Sequence, residues 1–469
     1  MLFNSINFLI FFPVVTILYF ILPHKYRWIH LLTASCIFYM CFIPQYIFIL
    51  FTTILIDYIA AIWIEKTEGA KKKKYLIISI ISTCLVLFIF KYFDFFNQNI
   101  KSITEYFGYR YPVHVAKIIL PIGLSFHTFQ SLSYVIEVYN SKQKAEKNFG
   151  IYSLYVMFYP QLVTGPIGRP QNLLVQLRVE KKFEYANLSA GLRLILFGLF
   201  IKMVIADNLA VYVDQIYKSP SSYNTYSILT GLLFYSFQIY CDFFGYSSIA
   251  VGCAKVMGFN LMDNFKNPYL AKSIGEFWQR WHISLSTWFR DYVYFSLGGN
   301  KVRLTKWMIN ILIVFTISGL WHGANWTFVI WGFAHGFIYI IENRFNHFFK
   351  IKDVQKTFSA SHLFLALKTF ILVSFIWILF RAQNLLQAKE LVVSLWQNYH
   401  VKDNFTVEPK TWIFLLTFFV IDMLLFNKRV DSWCNNKHFT VRWSLYSLII
   451  FATIVFSNVE NYPFIYFQF

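Results

Sequence analysis

Residues 278–300 read WQRWHISLSTWFRDYVYFSLGGN. The basic turn KVRLTK follows at 301–306, then an apolar run that ends in SGLWHGANW at 318–326 and continues to WGFAHG at 331–336. A histidine at the tip of an apolar run is costly to place, because an ionisable ring among hydrocarbon loses its hydration unless a partner or a wet cavity replaces it. His322 is therefore the first candidate functional residue. Basic residues lie on both sides of the run, KVRLTK before it and NRFNHFFKIK after it, so the chain from Trp307 to Ile341 should make an even number of membrane passes. The roughly 15 residues up to His322 climb only about 22 Å, which places the imidazole at depth in the membrane and not in a surface loop.

Composition supports a membrane setting for the whole chain. Of its 469 residues 57% are hydrophobic, 21% aromatic and 14% charged, which excludes an ordinary soluble protein, where the charged share is about a quarter. The formal charge of +19 points to cytoplasmic loops held by the positive-inside rule and by anionic membrane lipids. No nucleic-acid partner is expected, since no basic run is interleaved with aromatics in a soluble segment. Cys36, Cys41, Cys84, Cys241, Cys253 and Cys434 lie mostly within apolar runs and show no C-x-x-C spacing. They read as small core residues, and neither a disulfide framework nor a metal site is expected.

Apolar runs long enough to cross a bilayer begin at Ile6, Trp28, Ile47, Tyr75 and Ile118. The first reads as a retained span, not a cleaved leader. Lys25 and Arg27 follow the first run, Lys71 to Lys74 the third, and Lys142, Lys144 and Lys147 the fifth, while the turn 42–46 is uncharged and 93–117 reads as a long mixed connection. That alternation places the N-terminus outside and the lysine clusters in the cytoplasm. The short run 151–163 is broken by FYPQLVTGPIGRP, which predicts a re-entrant hairpin lining the site. Further spans are expected at 188–205, 226–257, 362–380, 412–426 and 443–456, leaving the tail ENYPFIYFQF outside. Asp242, beside Gly245, interrupts one of them and reads as a helix-end or water-facing group. The tryptophan- and arginine-rich stretch 264–306 has no spanning run and should lie along the cytoplasmic face. No repeat and no linker is visible, so residues 1–469 read as a single domain.

Several ordered blocks carry a resemblance. They are PIGLSFHTFQSLSYVIEVY from Pro121, FYPQLVTGPIGRP from Phe158, GLFIKMVIADNLA from Gly198, QIYCDFFGYSSIAVG from Gln238, the stretch from Asn267 to Asn300, SGLWHGANWTFVIWG from Ser318 and FIYFQF from Phe464. Together they resemble the membrane-bound O-acyltransferases, and within them the alginate and peptidoglycan O-acetyltransferase branch. The resemblance implies an all-α polytopic membrane protein with about ten to twelve transmembrane helices, re-entrant and amphipathic segments, and a central funnel. It implies an enzyme of a bacterial inner membrane that takes acetyl from cytoplasmic acetyl-CoA, as a substrate with no bound cofactor, and passes it toward an extracytoplasmic polysaccharide. It further implies a separate SGNH-hydrolase-like partner protein outside the membrane. The family's essential histidine corresponds to His322 and its supporting one to His282. His127 departs from the expected aromatic in the first block and is given no role.

The chemistry is consistent with that implication. An acyl thioester is already activated, with a thiolate leaving group of parent pKa near ~8.5. What remains is to remove a proton from a hydroxyl and to stabilise the oxyanion, and an imidazole titrating near neutrality suits the first task. Trp321 and Asn325 are close enough in sequence to His322 to shape its pocket or donate to developing charge. The segment containing Trp278, Arg280 and Trp281 is expected to receive the donor, although basic residues at a membrane face more often bind lipid headgroups. Among the other histidines, His335 reads as a packing residue or as a partner for His322. Two other classes stay open on residues alone. A transporter would use the broken hairpins as gates, and a haem-binding membrane protein would use His282, His322 and His335 as ligands.

Overall fold

The structure, a computed structural model, describes residues 1–113, 120–163, 165–349, 360–457 and 464–465. The expected start of a span at Ile118 and most of the terminal tail lie outside them. The described residues form helices and turns and no strand. In chain order the helices are α1 (Ile6–Ile21), α2 (His24–Met40), α3 (Tyr46–Lys66), α4 (Gly69–Tyr106), α5 (Leu124–Tyr139), α6 (Phe149–Met157), α7 (Tyr159–Leu162), α8 (Pro170–Arg178), α9 (Tyr185–Lys218) and α10 (Thr225–Val256). There follow α11 (Ile274–Arg280), α12 (Ile283–Trp288), α13 (Leu304–His322), α14 (Trp326–Phe348), α15 (Ala360–Arg381), α16 (Leu385–Gln397), α17 (Pro409–Leu424), α18 (Val430–Asn435) and α19 (Phe439–Phe456).

Among the described residues seven helices, α3, α4, α9, α10, α13, α15 and α19, are long and apolar enough to cross a membrane. Against the about ten to twelve transmembrane helices expected, the described residues add to these seven one shorter apolar helix, α1, of 16 residues. Their outward faces suit hydrocarbon. None of α19 is buried within the protein, and it exposes Leu448, Phe451 and Ile454, a continuous apolar surface that water would not tolerate.

Helix α4 overturns one expectation. Its 38 residues run through a π-turn at Phe88–Tyr92 and take in Phe93–Tyr106, which the sequence had suggested was a connection. The mixed polarity there is that of an exposed helix, with Asp94 in its first turn and Lys101 paired to Glu105 one turn on at 3.8 Å.

The described chain forms two compact units, Met1–Leu192 with Ala250–Met262, and Arg193–Ile249 with Asp263–Phe469. Two of the three boundaries fall inside α9 and α10, and the third falls in the non-helical segment that follows α10. In the first unit, α6 has nine residues and rises only about 13 Å, too little to cross. Its residues from Tyr152 to Met157 are buried, as is all of α7, and both helices pack against α2. Here Asp57 is fully buried, and accepts from Ser79 Oγ at 2.6 Å and Thr83 Oγ1 at 3.0 Å. His127 is buried on α5 with Nε2 3.4 Å from Thr53 Oγ1.

In the second unit, Asp242 is not a helix-end or water-facing group. It lies in the middle of α10, buried, with Oδ1 2.6 Å from Lys202 Nζ and Oδ2 accepting the Ile465 N–H at 2.7 Å. Lys202 also donates to Asp207 Oδ1 at 2.6 Å, where a π-turn at Ile201–Ala206 interrupts α9. The isolated-acid expectation failed because the lysine that meets Asp242 lies on another helix, 40 residues earlier in the chain.

Candidate active site

Helix α13 delivers His322 as its last helical residue, and Gly323 follows as an extended cap. Its 19 residues rise about 28 Å, close to the full hydrocarbon thickness. The expected rise was shorter, because Leu304–Lys306 join the first turn below the apolar run. Asn325 then caps α14, its Oδ1 accepting from the Thr327 N–H at 3.1 Å and its Nδ2 donating to the Gln383 carbonyl at 2.7 Å. Two glycines let the helices touch. A Cβ on Gly319 would stand 2.2 Å from the Phe328 carbonyl oxygen, and one on Gly332 2.2 Å from that of Phe315.

This packing buries the His322 imidazole to 3% exposure. Its centroid lies 4.9 Å from Trp321, 5.0 Å from Trp331 and 5.2 Å from Phe380, each ring meeting it edge-on.

His282 reaches the same neighbourhood from the short helices. The Asn264 carbonyl accepts from the Ile283 N–H at 2.9 Å, and the Lys266 N–H donates to the Arg280 carbonyl at 3.0 Å. Asn264 Oδ1 also accepts from the Ser284 N–H at 3.3 Å. That clamp holds His282 at φ 42° and ψ 55°, a left-handed conformation that costs a non-glycine residue about 1–3 kcal/mol and that clusters at functional sites. The ring is fully buried, 4.7 Å from Phe243 and 6.3 Å from Trp321, so the Trp321 indole adjoins both imidazoles. Burial pushes the His282 imidazole down to about 3, which keeps it uncharged at neutral pH.

The expected binding residues separate into two groups. Trp278, Trp281 and Trp321 join one aromatic cluster, since Trp278 lies 5.7 Å from Trp331, Trp281 lies 5.1 Å from Trp377, and Trp331 and Trp377 stack at 5.7 Å. Arg280 and Asn325 serve the frame. The Arg280 guanidinium pairs with Glu276 at 2.9 Å, donates to the Lys266 carbonyl and Asn427 Oδ1, both at 2.9 Å, and lies over the Phe426 ring. Asn325 is committed to its cap. Within the stretch 264–306 the aromatic side chains divide: Phe277 and Trp281 are buried at 0% and 1% exposure, Trp281 against Tyr240, Tyr269 and Trp377, whereas Phe295 is 55% exposed.

Sequence reasoning left out most of the walls. Trp377 and Phe380 come from α15, Tyr240 and Phe243 from α10, and no spacing within 278–336 points to them. His335 was only half seen. One turn after Trp331 on α14, it is fully buried and its Nδ1 lies 3.3 Å from the indole nitrogen of Trp278. The i, i+4 spacing of Trp331 and His335 was the available signal.

His322, at the end of the apolar helix α13, and His282, just before the short helix α12, are both buried and both adjoin the Trp321 indole, an arrangement that can serve acid–base chemistry. The chain belongs to the membrane-bound O-acyltransferase family, whose model matches residues 36–381, and it is accordingly a multi-pass membrane O-acyltransferase. It is 37% identical over 392 residues to a probable alginate O-acetylase of Azotobacter vinelandii, covering 82% of this chain and 76% of that one. It is 33% identical over 425 residues to a peptidoglycan O-acetyltransferase of Helicobacter pylori, covering 84% and 79%. A teichoic acid D-alanyltransferase of Bacillus subtilis is 29% identical over 279 residues, 57% of this chain and 67% of that one.

Proposed function

We propose that this protein is an O-acetyltransferase of a bacterial inner membrane, N-terminus outside, that moves acetyl from cytoplasmic acetyl-CoA toward a hydroxyl of an extracytoplasmic polysaccharide. His322 is the general base. Its neutral imidazole takes the proton of the acceptor hydroxyl as that oxygen bonds to the thioester carbonyl carbon. Collapse of the tetrahedral species breaks the carbon–sulfur bond, and the imidazolium returns its proton to the departing thiolate. Uncharged His282, which also adjoins Trp321, holds the orientation of that indole and of His322. Trp278, Trp281 and Trp321 exclude water from the thioester, while Arg280 and Asn325 fix the frame. An SGNH-hydrolase-like protein outside the membrane completes transfer to the polymer.

The observation that carries this reading is the burial of His322 at the end of an apolar helix, edge-on to Trp321, Trp331 and Phe380. An acetylated polysaccharide is favoured as the product because the relatives covering most of the chain are named for alginate and peptidoglycan O-acetylation. The test is His322→Ala, with polymer-bound acetate measured in cells that carry normal amounts of the protein. Loss of a factor of about 100 or more is expected when a general base is removed. Unchanged acetylation rejects the assignment. His282→Ala should give a smaller, partial loss.

A further inference from the structure

His335 has a feature that packing alone does not explain. The Trp278 indole nitrogen, 3.3 Å from His335 Nδ1, can only donate, so Nδ1 must accept and carries no proton. The proton of the neutral ring is therefore on Nε2. That Nε2–H has no hydrogen-bond partner among the described residues, and neither has the indole N–H of Trp331. Both residues are buried, at 0% and 1% exposure, where an unanswered donor is costly and calls for an explanation. Spaced i, i+4 on α14, they share one face of the helix. Trp331 also meets His322 at 5.0 Å.

We propose that His335 Nε2–H, with the Trp331 indole N–H beside it, hydrogen-bonds a carbonyl oxygen of the acyl donor, which makes His335 a substrate-binding residue. This rests on the acyl-transfer reading above. A carbonyl oxygen has lone pairs for both donors and needs no countercharge. The chain direction selects the donor over the acceptor. α14 starts beside His322 and runs past His335 to Arg344 and the basic flank, the side that positive-inside reasoning assigns to the cytoplasm. A donor entering from there must pass His335 before its thioester reaches His322.

The test is equilibrium binding of radiolabelled acetyl-CoA to the purified full-length protein, with two variants that divide the ring's functions. His335→Asn keeps a polar group at the Nδ1 position for Trp278 and offers no donor at the Nε2 position. His335→Gln does the reverse. Binding should weaken about ten-fold in His335→Asn and stay within about three-fold of wild type in His335→Gln. If His335→Asn binds normally, or if both variants weaken equally, His335 is a packing residue and the inference falls. Wild-type protein that fails to bind acetyl-CoA would overturn the proposed donor as well, which separates that failure from this one. Should neither His335 variant accumulate, Trp331→Phe keeps the ring and removes the second donor. It should bind about three-fold more weakly, and unchanged binding would count against the proposal.

Discussion

At the scale of single residues, the two histidines differ in what holds them. His322 is enclosed by rings, whereas His282 is held by backbone hydrogen bonds in a left-handed turn. The burial of His282 has a consequence for pH. The His282 imidazole is pushed down to about 3 by burial, against about 6.5 in an unfolded chain. As pH falls below about 6.5 the unfolded chain binds a proton here and the folded one does not, so stability is lost progressively down to about pH 3. The limiting slope is ~1.4 kcal/mol per pH unit. His282→Gln removes this term. Thermal unfolding in detergent at pH 7.5 and pH 5 should show a smaller acid-induced loss in the variant, by ~2 kcal/mol. Equal losses would mean that the ring already takes up a proton in the fold.

At the scale of elements, the π-turn at Ile201–Ala206 adds a residue to α9 where Lys202 meets Asp207 and Asp242. All three side chains are nearly inaccessible, at 1%, 6% and 4% exposure. Taking these charges out of solvent is expensive, and the cluster is tolerable only because the cation answers both carboxylates. Lys202→Met should therefore destabilise the protein by about 3–5 kcal/mol, read as a fall in its thermal midpoint in detergent. Adding Asp207→Asn and Asp242→Asn to that variant should recover much of the loss. If Lys202→Met alone is neutral, the carboxylates are already protonated or hydrated. Asp242 also receives the Ile465 N–H, so the same cluster ties the end of the chain to α10.

At the scale of the whole molecule, the lysine clusters set an orientation that can be measured directly. Cys41 is exposed in the turn after α2, on the side opposite Lys71 to Lys74 by the positive-inside rule. In intact cells, a variant retaining only Cys41 should react with a membrane-impermeant maleimide. A cysteine placed by Lys72→Cys should react only after the membrane is opened. The reverse pattern would invert the proposed topology and put the acyl donor on the wrong side.

Much of the fold was legible because the relevant signals are local. A helix that crosses hydrocarbon must satisfy its own backbone hydrogen bonds and be apolar over about 20 residues, and both properties lie within one continuous stretch. The runs beginning at Ile6, Ile47 and Trp443, and the SGLWHG end at His322, needed no tertiary knowledge. Where polarity was mixed, as in Phe93–Tyr106, the local signal was weak and the helix was missed. The sequence alone thus determined that this is a helical membrane protein with an imidazole at the end of an apolar helix. Only the tertiary structure decided what surrounds that imidazole. Phe380, Trp377, Tyr240 and Phe243, the lysine opposite Asp242 and the tautomer of His335 all depend on helices far apart in the chain meeting face to face. Such meetings are fixed by close packing of side chains and glycines such as Gly319 and Gly332, and no periodicity within a single helix records them.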